Sequence, residues 1–302
     1  MVDYVFIVCR SHSGSTLLEK LLGTADDVVC LCEVSHFSSY TDAPDKPCGC
    51  GETVADCAFW TRIRRGVGLP QGVPVDSIFP TDGYRDERRL PNAAYLAALA
   101  FAPALLAAQR LLPGSVAARN HAALRNHFRL VREVADRTGA RVLVDKSMSA
   151  SRLLEIARDL PGWLRLSAVH VTRDGRANAY SHMTRFGTDI DAAARGWKRD
   201  NRHAMLALSR LSTVPQARLR YEDLCRDPRG ALDDLADRLG LRGDFDPARL
   251  GNVQHTIGGN PNKLTGYDQI QFDDRFRQAL SPDQLTRFDA IAGRLNRALG
   301  YG

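Results

Sequence analysis

The stretch Tyr4-Val-Phe-Ile-Val-Cys-Arg-Ser-His-Ser-Gly-Ser-Thr-Leu-Leu18 constrains the fold more than any other. An apolar run there stops at a small, hydroxylated, glycine-centred loop and passes directly into a helical pattern. Val5 to Cys9 read as a buried strand and Ser11 to Ser15 as turn residues. Leu17, Leu18, Leu21 and Leu22 put an apolar stripe on the helix that follows, up to Gly23. In such a unit the free N–H groups and positive dipole end of the helix point into the loop, and Ser13, Ser15 and Thr16 add hydroxyl donors. This is a cradle for an anion, phosphate or sulfate first; the plain alternative is a strand-to-helix turn with a serine cap. The loop departs from the nucleoside triphosphate pattern G-x-x-x-x-G-K-[ST], because Ser15 and Thr16 follow Gly14 and no lysine is there to reach a β/γ-phosphate. A kinase or ATPase is the weaker reading, although Asp145 can be argued as a magnesium ligand.

Strand and helix patterns then alternate. Val28 to Val34, Arg141 to Val144, Leu166 to Thr172 and Ala217 to Tyr221 each read as a strand followed by polar or helical sequence. This alternation predicts a three-layer α/β/α domain with a mainly parallel central sheet and a P-loop-like loop. Ligands of such sheets sit beyond the carboxyl ends of the strands, where Ser11 to Thr16, Asp145-Lys146-Ser147 and Arg173-Asp174-Gly175-Arg176 all fall. Asp227-Pro228 caps a helix ending at Gly240, and Ser281-Pro282-Asp283-Gln284 opens a final helix with Leu285, Phe288, Ile291, Leu295 and Leu299 as core.

The 302 residues, 44% of them hydrophobic, suffice for one domain over 1–302. An excursion at about 42–130 breaks the alternation. It begins rich in Gly, Pro and charge and continues into the apolar, Ala-dominated run Ala93 to Ala108. At 16 residues and with Pro103 inside it, that run is short for a membrane span of about 20 residues. It reads as a buried or capping helix pair, with a weak peripheral membrane contact as the minority idea. The net charge of +6 favours anionic ligands, but only five of the 41 basic residues are Lys, and no basic run interleaved with aromatics points to nucleic acid. The N-terminus carries no export signal, so a cytoplasmic protein is the expectation. An odd count of seven Cys then argues for thiols or a metal rather than a disulfide framework.

Taken in order along the chain, these motifs resemble those of the sulfotransferases that use 3′-phosphoadenosine-5′-phosphosulfate. His12-Ser-Gly-Ser-Thr16 is similar to the family's phosphosulfate loop, with His12 in the position usually held by Lys or Arg, so that its charge depends on pH. Arg173-Asp-Gly-Arg-Ala-Asn-Ala-Tyr-Ser181 resembles the 3′-phosphate site, in which an Arg and a Ser eight positions later hold that phosphate. Leu219-Arg-Tyr-Glu-Asp-Leu-Cys-Arg-Asp-Pro228 looks like the segment whose Tyr lies near the adenine, here Tyr221. Without the family reading it is a helix start with Glu222 and Asp223 as caps. His255-Thr-Ile-Gly-Gly-Asn-Pro-Asn-Lys263 resembles the Gly-rich stretch that closes over the nucleotide, with Gly259, Asn260 and Lys263 as its contacts.

The resemblance implies sulfuryl transfer to a hydroxyl or amine acceptor. Such a reaction needs cations to absorb charge and a base to take the acceptor's proton. Lys146 matches a lysine beside the transferring group, and His12 stands where it would stabilise the leaving oxygen. The histidine that serves as base in the well-known cytosolic branch is absent, since Met148 occupies that position. Glu33, 21 positions after His12, matches the base of the tyrosylprotein branch, with His36 as the fallback. Outside these motifs, Cys48, Cys50 and Cys57, joined by Cys30 and Cys32 or by His36, are candidate ligands of a structural zinc ion, with plain thiols as the alternative. The other function classes open to the sequence are a P-loop small-molecule kinase and a non-enzymatic nucleotide-binding module.

Overall fold

A computed structural model describes residues 1–34, 37, 46–68, 96–101, 116–257 and 269–302. His36, Gly259, Asn260, Lys263 and most of the 42–130 excursion's centre lie outside the described residues.

Among the described residues five parallel strands form the sheet: β1 (Val2–Val8), β2 (Val28–Cys32), β3 (Val142–Met148), β4 (Leu164–Thr172) and β5 (Gln216–Arg220), in the order β2-β3-β1-β4-β5. The helices used below are α1 (Ser15–Leu22), α2 (Ala58–Val67), α3 (Val116–Thr138), α4 (Ala150–Arg158), α5 (Gly175–Phe186), α6 (Ile190–Ser209), α7 (Tyr221–Arg226) and α8 (Pro228–Leu239). Alternation along the central strand sorts them into layers. Val5, Ile7 and Cys9 face α1 and α8, packing on Leu17, Leu18, Leu21, Leu232 and Leu235. Tyr4, Phe6 and Val8 face the opposite layer, where Trp60 of α2, Leu124 and Leu130 of α3, Leu153 of α4 and Ala204 of α6 lie. A strand buried on both faces reads as a continuous apolar run, which is why β1 is legible.

The strand bounds differ from the sequence expectation where the backbone changes hand. The second strand stops at Cys32 rather than Val34, because Cys32 has φ 60° and turns the chain out of the sheet. The third runs on through Asp145-Lys146-Ser147 instead of ending at Val144, since it is paired on both sides, with Phe6 beside Asp145 and Cys32 beside Asp145 across the other edge. The final helix is interrupted: Pro282–Phe288 opens with the expected capping box, then a π-helical turn at Asp289–Gly293 leads into Arg294–Ala298. Asp227 caps α8 through the N–H of Gly230 as expected. Glu222 does not cap its own helix; its carboxylate accepts the N–H of Asp174, tying α7 to the end of β4.

The order of the strands locates the crevice. From β1 the chain crosses to β2 on one side, and from β4 it proceeds to β5 on the other. The loops after β1 and β4 therefore part in opposite directions, and ligands of open α/β sheets enter at such a switch point.

Candidate active site

The loop after β1 is held by α5 and α6. The side-chain amide of Asn178 donates to the Ser11 carbonyl at 2.8 Å and to Ser13 Oγ at 3.2 Å. Ser11 Oγ meets Nε2 of His182 at 3.0 Å, and Arg10, in an ion pair with buried Asp200, reaches Nδ1 of the same ring at 3.2 Å. His12 adopts φ 63° and Gly14 φ 91°, left-handed conformations that cost a residue bearing a Cβ about 1–2 kcal/mol. At Gly14 there is a second reason for glycine: a Cβ would stand 2.4 Å from Cδ2 of Tyr221. Gly14 is also the N-terminal cap of α1, and lacking a side chain it leaves the first N–H groups of that helix without a side-chain cap among the described residues. Ser15 and Thr16 stand in its first turn, Ser15 Oγ lying 3.9 Å from the Met148 sulfur.

Arg173, at the end of β4, spans the crevice. One guanidinium nitrogen donates to the His12 carbonyl at 3.2 Å and to Ser181 Oγ at 3.4 Å. The other donates to the carbonyl and carboxylate of Asp273, at 2.8 and 3.2 Å. Arg173 Nε is buried and has no hydrogen-bond partner among the described residues. The paired arginines Arg275 and Arg173 hold the Asp273 carboxyl down at about 2, the hydrogen bond from Arg275 being the larger cause. The guanidinium lies over the Tyr221 ring, 4.6 Å from its centroid, while the Tyr221 hydroxyl donates to the Gln271 carbonyl. Tyr221 is thus buried between the loop and Arg173. One face of the ring carries Arg173, and its edge abuts Gly14.

His12 sits in a second unexpected environment. Burial, then the charges of Arg185, Arg173 and Arg10, push its pKa from 6.5 down to about 4, and its ring packs edge-on against His182 and Phe186. The position expected to carry a pH-dependent cation near neutrality holds a neutral imidazole here. His182 is pushed further, to about 2, by burial and by Arg10 and His12.

Behind the loop, Lys146 is buried on the α1 side of β3. Its ammonium donates to Thr16 Oγ1 at 3.1 Å and pairs with Glu19 at 3.2 Å. Burial works against its charge, but Cys32, Glu19 and Glu33 outweigh that and raise its pKa well above the usual lysine value. Glu33 follows the left-handed Cys32, so it leaves β2 at the rim, within electrostatic reach of Lys146. Its N–H donates to the Ile257 carbonyl at 3.2 Å. Asp145 points to the other face: its carboxylate accepts from the Tyr4 hydroxyl at 2.5 Å and from the Ser147 N–H at 2.8 Å. Burial lifts its pKa to about 6 against those hydrogen bonds. Asp145 is therefore a core acid beside His127 and not the rim carboxylate that a magnesium ligand requires.

Ser11 to Thr16, Lys146, Glu33, Arg173, Ser181 and Tyr221 are thus gathered around the carboxyl ends of β1 to β5. Sequence reasoning missed Arg10, Asn178, His182 and Glu19, which hold the loop and the lysine. Only Asn178 left a signal, four residues after the capping Asp174 on the face that returns to the loop.

Residues 74–247 match the model of the sulfotransferase family. Among solved structures, the chain is similar to the sulfotransferase domain of the Synechococcus PCC 7002 olefin synthase, at 21% identity over 95% of this chain and 94% of that one, with a TM-score of 0.50. It is similar to the sulfotransferase domain from the curacin biosynthetic pathway at 16% identity over 100% and 99%, with a TM-score of 0.51. A sulfotransferase from Mycobacterium avium shares 14% identity over 100% of this chain and 78% of its own, with a TM-score of 0.53. At these identities the likeness is one of fold. No curated protein matches the chain.

Proposed function

Because the chain belongs to the sulfotransferase family, we propose that it moves a sulfuryl group from 3′-phosphoadenosine-5′-phosphosulfate to a hydroxyl or amine acceptor, releasing adenosine 3′,5′-bisphosphate. The observation that carries this reading is the Arg173 guanidinium at the switch point, reaching the His12 carbonyl and Ser181 Oγ together. The start of α1, without a side-chain cap among the described residues, and the charges of Arg10, Arg173 and Arg185 around His12 meet at this one loop, which fits a ligand with two separated anionic groups.

In this reading the α1 N–H groups, with Ser13, Ser15 and Thr16, hold the 5′ end of the donor, and Arg173 with Ser181 holds its 3′-phosphate. The donor supplies the activated sulfuryl group. Lys146, fixed by Thr16 and Glu19, places a permanent positive charge beneath the loop where negative charge collects on the leaving oxygens. Neutral His12 offers a ring N–H rather than a charge until bound phosphate raises its pKa. Glu33 accepts the acceptor's proton, with His36 as its substitute. Gly259, Asn260 and Lys263 close over the nucleotide, and the excursion at about 42–130 selects the acceptor.

The test is direct. Calorimetric titration with adenosine 3′,5′-bisphosphate shows binding, and mass spectrometry of a panel of hydroxylated acceptors incubated with donor shows a sulfated product. Glu33→Gln lowers kcat by about 10²–10⁴-fold with nucleotide affinity unchanged. Absence of both binding and product refutes the reading; full turnover by Glu33→Gln moves the base to His36.

A further inference from the structure

The loop at Cys48–Cys57 is not used by the reaction above, and the structure brings its three thiols to a fourth donor 198 positions away along the chain, His255. Cys48, Cys50 and Cys57 Sγ and the His255 ring nitrogen all lie within 4.8 Å of one another. Cys50 and Cys57 Sγ are 3.7 Å apart; Nδ1 of His255 is 3.3 Å from Cys57 Sγ and 4.0 Å from Cys48 Sγ. A tetrahedron with zinc–sulfur bonds of about 2.3 Å and zinc–nitrogen bonds of about 2.0–2.1 Å has edges of about 3.8 Å between sulfurs and about 3.6 Å between sulfur and nitrogen. The two sulfur–nitrogen separations lie on either side of the latter edge, and the Cys50–Cys57 separation of 3.7 Å is close to the former. A Cys50–Cys57 disulfide requires about 2.05 Å between the sulfurs. Cys30 and Cys32, expected as upstream ligands, lie elsewhere: Cys30 donates to the Glu19 carbonyl and Cys32 faces Lys146.

We propose that Cys48, Cys50, Cys57 and His255 form a structural Zn²⁺ site that fastens the 46–57 loop and the 254–257 segment to the rim of the sheet beside Glu33. A closed set of three sulfurs and one nitrogen suits zinc and leaves no position for water or substrate, so the ion's task is to hold chain segments together. Binding displaces the thiol protons to solvent, and the three thiolates and neutral imidazole leave the site with a single negative charge.

The surroundings are built for such a clasp. Gly49 N–H donates to the Thr256 carbonyl at 2.9 Å, and Cys48 N–H to the Glu52 carbonyl at 2.8 Å, closing the loop on itself and on the partner segment. Pro47 bridges Thr53 in antiparallel fashion, and Gly51, at φ 95°, makes the tight turn between them. Phe59 stacks on the His255 ring, 4.9 Å between centroids and 6° between planes, fixing the orientation of the ligand nitrogen. Ile257, two residues on, accepts the Glu33 N–H and bridges Cys32. The clasp thus bears on the rim carboxylate through two residues of backbone. The site stands independently of the sulfuryl-transfer reading.

The experiment uses the full chain, purified under reducing conditions without chelator and dialysed, with metals counted by plasma mass spectrometry. One zinc per chain is expected. Cys57→Ser and His255→Ala each lower that content at least fivefold, whereas Cys225→Ser leaves it unchanged. Should a ligand variant fail to fold, two measurements on the parent decide. Titration with a mercurial releases its zinc as three thiols react. The chain reloaded with Co²⁺ shows the visible bands of tetrahedral cobalt and thiolate charge-transfer absorption. Lack of stoichiometric zinc with no such cobalt spectrum, iron or copper in its place, or a Cys50–Cys57 disulfide in the reduced preparation overturns the proposal.

Discussion

Lys146 and Glu19 offer a perturbation whose size follows from the structure. The two side chains are 1% and 2% exposed, and the ammonium is 3.2 Å from one Glu19 oxygen; the other, Oε1, is buried and has no hydrogen-bond partner among the described residues. Lys146→Met keeps the volume and removes the charge, so it strands a buried carboxylate. Breaking a buried pair from one side costs about 3–5 kcal/mol. With roughly 2–4 °C lost per kcal/mol in a domain of about this size, the melting temperature should fall by about 6–20 °C. Glu19→Gln costs less, because Cys32 and Glu33 still face the ammonium. In Lys146→Met/Glu19→Gln neither charge remains, and the double-mutant cycle should return a coupling of about 2 kcal/mol or more. Urea unfolding with constant m values supplies the free energies. Turnover should not return with stability: under the proposed mechanism the double variant folds and stays inactive. A loss below about 1 kcal/mol for Lys146→Met, or a cycle that closes additively, refutes the buried pair. An active double variant refutes a role for Lys146 in transfer.

Gly14→Ala combines positive-φ strain with contact on the Tyr221 ring and should cost at least about 2 kcal/mol; an unchanged urea midpoint with normal nucleotide affinity sinks that account. Asp273→Asn frees Arg173 from a competing carboxylate and should tighten adenosine 3′,5′-bisphosphate about two- to fivefold by calorimetry, the worth of about 0.5–1 kcal/mol. Weaker binding would show that Asp273 orients the arginine instead. Stability should fall as pH drops from about 6.5 towards 4. His12 and His170, at about 4, and His182, at about 2, stay neutral when folded, while the unfolded chain takes up their protons. Asp145, raised to about 6, acts in the opposite direction between that value and 3.8, and one group does not offset three. A melting temperature that holds or rises from pH 7 to pH 5 contradicts this. For the same reason, kcat/KM should show no inflection from His12 near pH 6.5; one that vanishes in His12→Gln would place a cation there before the donor arrives.

The order of strands and helices was legible because Val5 to Cys9 is buried on both faces and carries an unbroken apolar run, and because Leu166 to Thr172, though it includes Ser167, His170 and Thr172, is otherwise apolar and bounded by polar sequence. The polar end of β3 was not, since Asp145, Lys146 and Ser147 look like a loop until Tyr4, Glu19 and Thr16 arrive from elsewhere to satisfy them. The loop and Arg173 could be named from local spacing. Their supports could not: His182 and Asp200 reach the loop only through the packing of α5 and α6, and an arginine over Tyr221 leaves no trace in spacing. His12 shows the same limit, because its residue type suggests a titrating cation while three neighbouring arginines and burial make it neutral. The proposed zinc ligands were three-quarters visible; the fourth is far along the chain and touches the others only in the fold.

The parallel bridge between Cys32 and Ile257 also matters for how the protein behaves in a crowded solution. Strand β2 is an edge of the sheet, and its sequence Val-Val-Cys-Leu-Cys is uncharged and prone to pair with any extended chain that presents itself. Ile257 claims the outer side of its last residue, as a sixth strand would begin to do. A chain whose 254–257 segment comes away loses more than a brace for Glu33: it uncovers a sticky border, and its first symptom should be self-association rather than unfolding.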